Sequence, residues 1–252
     1  MIHSPIPSFV QKSGWLLLLM LLLGSGAKSL AQTRIPREIH LGAVGGAVLS
    51  EYTFHPSVTQ KMTRGYTAGV AVRYIEETLF GLQAEFHLTQ RGYSDYYEGE
   101  PDLQFTRKLT YLELPIMAHV YFKVGQKHEV TFDAGPKLGY YLWDTTESTL
   151  PDNFGQLGDV NHFGYVYKHH ILPIEKKFDY GIQAGLGYEF KFNKQMSAQI
   201  SGRYYYGLGN MWPDSKADDF EVSSNQSIQV VFSLWWKHTI RGKKVVRDAK
   251  GK

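Results

Sequence analysis

The sequence contains no cysteine. That excludes a disulfide scaffold, a thiolate metal centre and an export signal ending in a lipid-modified cysteine. It also contains no internal run of eighteen apolar residues, so no segment is long enough to cross a bilayer as a helix, a test that is blind to membrane strands. HExxH and GxSxG motifs are missing as well, which removes the best-marked zinc peptidase and hydrolase patterns. What remains is a 252-residue chain, 43% hydrophobic and 14% aromatic, with 25 glycines in no collagen-like period. Such a chain is rich enough in apolar side chains to fold as one sizeable domain.

The first thirty-one residues read as a secretory leader. Lys12 is the only charge before the nine-residue apolar run from Trp15 to Leu23, and Ser29-Leu30-Ala31 forms a small-x-small pattern. This places cleavage between Ala31 and Gln32 and predicts export. The domain expectation is therefore a signal peptide over 1–31, one domain over 32–240 and a basic tail over 241–252. Removing Lys12 and Lys28 with the leader leaves 25 basic against 24 acidic residues. The segment from Lys237 to Lys252 carries seven basic residues and Asp248 alone. The positive charge of the whole chain is therefore a property of a short tail, and a nucleic-acid partner is not indicated.

The body alternates with period two. Leu82, Ala84, Phe86 and Leu88 share one face, and Gln83, Glu85, His87, Thr89 and Arg91 share the other. A helix would mix these sets. Residues 111–122 and 178–190 alternate in the same way, and further strands are expected at about 38–50, 66–75, 128–142, 196–208 and 227–238. That makes eight strands. Their connections alternate long and short, with Glu76 to Leu79, Lys123 to Lys127 and Lys191 to Lys194 as the short ones. The long ones are Glu51 to Gly65, Ser94 to Thr106, Asp144 to Lys177 and Gly209 to Gln226. An all-β, eight-stranded antiparallel up-and-down transmembrane β-barrel has this form, with tight periplasmic turns and extended outer loops.

Aromatic placement supplies a second line of argument, because Tyr, Trp and Phe favour the two membrane interfaces. Tyr74, Phe80, Phe122, Tyr188, Phe190 and Trp236 fall at the periplasmic strand ends. Tyr66, Tyr93, Tyr140, Trp143, Phe178, Tyr204 and Tyr206 fall at the outer ends. Outer-membrane lipid and lipopolysaccharide are then the expected surroundings.

The Ser29-Leu30-Ala31-Gln32 junction, Tyr111-Leu112-Glu113-Leu114-Pro115, Asp133-Ala134-Gly135-Pro136 and the stretch from Gly181 to Tyr188 resemble the Bacteroidetes outer-membrane β-barrel domains known as PorT-like. The resemblance covers residues 32–238. It implies an eight-stranded barrel in the outer membrane, and, for one member type, an accessory role in type IX secretion.

If the apolar faces meet lipid, the opposite faces line the lumen. Arg73, Arg91, Lys137 and Arg203 then point inward with Glu85, Glu113, Asp133 and Glu189, and His119 joins them. An eight-stranded barrel is narrow enough to be filled by its own side chains, so these groups are expected to pair as a polar plug. The alternative is a small-solute conduit or ligand-binding barrel, for which Gly135, Gly139, Gly181, Gly185 and Gly187 would leave volume.

No metal site, cofactor or catalytic residue is expected. His162, His169 and His170 lie near Asp152, Asp159 and Glu175, but neighbouring histidines in an extended stretch face opposite ways. The reading is a non-enzymatic component with possible protein partners at its outer loops or tail. The tyrosines and acids of 93–105, and Met211 and Trp212 with the acids of 209–225, are the loop candidates.

Overall fold

The computed structural model describes residues 37–55, 57–77, 79–97, 102–150, 170, 172–213 and 220–240. The expected leader, its cleavage point at Ala31 and Gln32, and the tail after residue 240 lie outside these. The described residues form eight strands: β1 (Arg37–His55), β2 (Gln60–Glu77), β3 (Phe80–Tyr96), β4 (Gln104–Val124), β5 (His128–Ser148), β6 (Phe178–Lys191), β7 (Met196–Gly207) and β8 (Val222–Ile240). Each pairs antiparallel with its neighbour in sequence, and β1 closes the ring on β8 in unbroken register from Arg37 opposite Ile240 to His55 opposite Val222. Closure removes both sheet edges, so no row of backbone donors and acceptors is left facing hydrocarbon.

The period-two pattern places side chains as the sequence implies through the middle of the wall. Leu41, Val70, Phe86, Ile182, Leu186 and Phe232 all point outward and are more than half exposed. A patch of this size encircling a protein is costly in water and suited to lipid. Aromatics edge the belt. Phe80, Phe122 and Trp236 stand at the short-turn end, with Tyr66, Tyr140, Trp143 and Phe178 at the other. Tyr93 departs from this expectation, since it is fully buried inside the barrel.

The strands also run well past the expected outer limits. The stretches 51–55, 60–65, 94–96 and 104–106, read from sequence as loop, continue β1 to β4 above the lipid belt. The hydrophobic phase inverts there. On β1, Tyr52 and Phe54 point inward while Thr53 and His55 are exposed, because the outer surface meets water at this height and the interior can be apolar. A search for apolar residues on the lipid face therefore stops at the membrane boundary although the strand does not. A bulge on β5 adds to the break: Thr110 pairs with Trp143 and Tyr111 with Tyr141, leaving Leu142 as the extra residue.

Among the described residues, positive φ occurs only in the short turns, at Leu79 and Gly125. Gly125 takes φ 77° between β4 and β5, a conformation glycine adopts without steric cost.

Candidate functional site: the lumen and its two mouths

The interior consists of stacked polar layers. Nearest the short turns, the Arg73 guanidinium donates to Gln83 Oε1, Glu189 Oε2 and Gln199 Oε1, each at 2.7 Å. It stacks on Trp235 at 4.0 Å, whose indole also donates to Gln199 at 3.0 Å. Ser197 donates to the second oxygen of Glu189 at 2.6 Å, completing that carboxylate. Beside this layer His119 Nδ1 and Asp133 Oδ1 lie 2.6 Å apart, both buried.

The middle layer is a two-toothed fork. Arg203 donates to Glu85 Oε2 at 2.6 Å and to Oε1 at 3.0 Å, a planar match that holds both groups in register. Gln83 donates to the same carboxylate and His87 Nε2 lies 2.7 Å from it.

Above it, Lys137 donates to Glu113 at 3.0 Å and lies over the Tyr205 ring at 3.7 Å. Arg91 lies over Tyr111 at 3.9 Å, donates to Asn225 at 3.0 Å and to Asp179, and has its Nε 3.4 Å from Glu113. The structure thus gathers all nine lumen residues named from sequence into the interior, each with exposure of 2% or less. It distributes them over separate layers rather than one cluster.

Several partners were not singled out from sequence. Asp179 is on the polar face of β6, and its alternation with Gly181 and Gln183 marks it as inward, but nothing local shows that Arg91 ends there. Trp235 is harder to find, because Trp235 and Trp236 are adjacent and either could face lipid.

The lumen glycines do not leave the expected volume. A Cβ at Gly187 would stand 2.5 Å from Thr131 Oγ1 and 2.7 Å from Gln199 Nε2. One at Gly185 would meet Arg203 Cγ at 2.8 Å, and one at Gly181 the Tyr205 ring at 2.7 Å. At Gly135 it would strike the Ile116 carbonyl at 2.1 Å, so that glycine permits a close approach of strands. Only at Gly139 are all neighbours at ordinary contact distance. These glycines make room for long side chains from other strands.

The outer mouth is closed by an apolar cap. Tyr52, Phe54, Tyr93, Phe105 and Leu109 from the extended walls pack with Ile174, Met211, Trp212 and Phe220. Phe54 stacks on Trp212 at 5.4 Å, Trp212 on Phe220 at 5.0 Å, and the Trp212 indole donates to the Pro173 carbonyl at 3.1 Å. Tyr93, Phe105, Met211 and Trp212, expected as outward loop contacts, are therefore structural. Their apolar bulk covers a narrow opening that is otherwise exposed to water, which sequence alone does not reveal.

At the cap's edge His170 Nε2 lies 2.5 Å from Asp95 Oδ2 and 3.5 Å from Tyr97 Oη, and stacks on Phe105. His162, His169, Asp152 and Asp159 lie outside the described residues. Arg107 bridges Asp144 at 2.5 Å and the Leu172 carbonyl at 2.8 Å. Burial would raise the Asp144 carboxyl, but hydrogen bonds from Tyr141 and Arg107 hold it below the ordinary range. No group of three metal-ligating side chains converges among the described residues.

Among the described residues the inner mouth is open. A cavity of about 570 Å³ is bounded by the β4–β5 and β6–β7 turns, with His40 and Glu189 at its floor.

Comparison with known proteins places this architecture. No curated protein matches the chain. Among solved structures, OprG of Pseudomonas aeruginosa is 10% identical, with 82% of this chain and 98% of that one covered and a TM-score of 0.46. Neisserial surface protein A is 12% identical over 79% and 97%, with a TM-score of 0.41. Ail of Yersinia pestis is 13% identical over 81% and 99%, with a TM-score of 0.39. A model of the outer membrane protein beta-barrel domain matches residues 30–212, and those residues supply most of the closed ring. The chain therefore belongs to the outer membrane protein beta-barrel domain family and resides in the outer membrane.

Proposed function

We propose that this protein is a non-enzymatic, non-conducting outer-membrane component whose barrel is a rigid platform for interaction, of the kind that assists secretion or surface assembly. The carrying observation is the filled interior: three ion-paired layers, glycines occupied by Arg203, Gln199 and Tyr205, and an aromatic cap. A lumen whose charges are paired and whose outer mouth is covered offers no continuous water path. The PorT-like resemblance supports an accessory role in type IX secretion. A small-solute conduit is the second reading, favoured by buried atoms along the axis that make no hydrogen bond, among them Asp133 Oδ2, Gln229 Nε2 and Ser233 Oγ, which water would satisfy.

Planar-bilayer recording of the refolded protein separates the two. The expected result is no steady conductance. Stable open events whose size changes in Glu113→Gln or Arg203→Gln would overturn the platform in favour of the conduit. The secretion role is tested in the source cell: removing the protein is expected to trap surface proteins in the periplasm, and unaltered surface display would exclude that role.

A further inference from the structure

The inner mouth combines features that the plugged lumen does not use. Four lysines line it: Lys127, Lys191, Lys194 and Lys237. Lys191 is engaged by Glu129 at 2.5 Å and Lys237 by Glu38 at 2.6 Å. Lys127 and Lys194, one on each bounding turn, have no carboxylate partner among the described residues. The one acid of the lining, Glu189, is already saturated by Arg73 and Ser197. Free charge at this mouth is therefore positive.

An independent observation comes from the cavity floor. His40 is 4% exposed, its Nε2 is held by Glu38 at 3.2 Å, and its Nδ1 has no partner although it is buried. An unpaired polar atom at the wall of a cavity is costly unless a ligand or water satisfies it. With Nε2 committed to Glu38, Nδ1 is the ring's remaining hydrogen-bonding atom, and a peptide backbone offers both N–H and C=O groups to it. The surrounding amides of Gln126 and Gln195 offer both donors and acceptors. A ligand carrying carboxylates for the two free lysines and backbone amides for His40 is a peptide.

We propose that this mouth docks an acidic peptide segment of a periplasmic protein. The floor of the site, buried His40 and Glu189, lies inside the ring of strands, whereas bilayer phosphates lie around it, so a lipid headgroup does not reach the floor. The volume is that of a small-ligand pocket and accommodates a few residues of extended chain. The chain continuing from Ile240 adds six basic residues to one acid, which raises the encounter rate of an acidic partner. The inference rests on the platform reading and names the chemistry of its partner.

The test is calorimetric titration of the full-length protein in neutral micelles with a blocked (Glu-Gly)4 peptide, using blocked (Gln-Gly)4 as control. Saturable binding is expected for the acidic peptide alone. Affinity should fall at least about tenfold, or about 1.4 kcal/mol, in the K127Q/K194Q protein. It should also fall in H40F, with heat-modifiable gel mobility unchanged in both. The His40 imidazole resonance should move on titration in the wild type.

Absence of saturable binding would overturn the proposal. So would binding that survives K127Q/K194Q and vanishes in R241Q/K243Q/K244Q/R247Q, because the tail would then be the site. Binding of phosphatidylglycerol or inorganic phosphate with the same lysine dependence, in place of the peptide, would overturn it in favour of a phosphate ligand. These outcomes are separate from conductance. A channel would sink the platform without touching the titration, and a failed titration leaves a non-conducting lumen standing.

Discussion

Arg203 and Glu85 meet across the lumen from β7 and β3, both almost wholly buried. Removing one member of such a pair strands the other charge where water cannot reach it. Arg203→Ala is therefore expected to lower stability by about 3–5 kcal/mol, read from urea unfolding in micelles, whereas an Arg203→Met, Glu85→Leu double variant should lose far less. Arg37 and Glu76 form the contrast: at 62% and 47% side-chain exposure, their pair contributes about 0–1 kcal/mol, and Arg37→Ala should be close to neutral. Equal losses from Arg203→Ala and Arg37→Ala would contradict the paired-plug account. At this scale the sequence shows which way Arg203 points, because a charge cannot sit on the lipid face of β7. It does not show that the partner is Glu85, 118 residues away, because pairing across a closed ring depends on register accumulated over every strand.

Strand β6 carries opposite requirements on adjacent residues. Leu186 is 65% exposed toward lipid and Gly187 sits beneath Thr131 and Gln199. Leu186→Arg should cost more than about 1 kcal/mol, since a charge inside the aromatic belt must be carried into hydrocarbon. Gly187→Val should cost about 1–3 kcal/mol by overpacking the lumen. Thr145→Arg, at an exposed position of β5 beyond the aromatic belt, should cost no more than about 1 kcal/mol. Unfolding measured in lipid vesicles ranks the three, and equal penalties for Leu186→Arg and Thr145→Arg would place the belt at the wrong height. Such faces are legible from alternation wherever one side meets lipid. Above the belt they are not, which is why Tyr52, Phe54, Tyr93 and Phe105 read as loop aromatics until the strands are seen to continue.

For the whole molecule, closure of the ring predicts recovery in the outer-membrane fraction and a gel mobility that shifts on boiling. A soluble, non-shifting protein would contradict it. The inner mouth predicts a specific acid response. Burial alone would raise the Glu38 carboxyl, but bonds from His40 and Lys237 pull it down to about 2, against an ordinary value of 4.5. A carboxylate depressed in the folded state stabilises fully above its unfolded value. Its contribution fades as pH falls from about 4.5 toward 2. Glu38→Gln should therefore weaken the barrel at neutral pH and flatten the part of the acid limb below about 4.5. An acid limb of unchanged shape in the variant would show that Glu38 carries no such linkage.

Strand number, antiparallel order and the lipid face of each strand follow from the sequence by itself. Hydrocarbon imposes one rule, apolar outward, at every second residue, and that rule is local enough to read along a single strand. The inward direction of Arg73, Glu85, Arg91, Glu113, His119, Asp133, Lys137, Glu189 and Arg203 follows from the same rule. Which of them touch was decided by the tertiary structure. So were the filling of the glycine positions by Arg203, Gln199 and Tyr205, the aromatic cap over the outer mouth, and the unpaired Nδ1 of His40 above an open basic cavity. The cap and the cavity bring together residues from strands far apart in sequence, placed by closure of the ring, whereas the glycine fillings depend on the register of the neighbouring strands β6 and β7, which neither strand encodes alone.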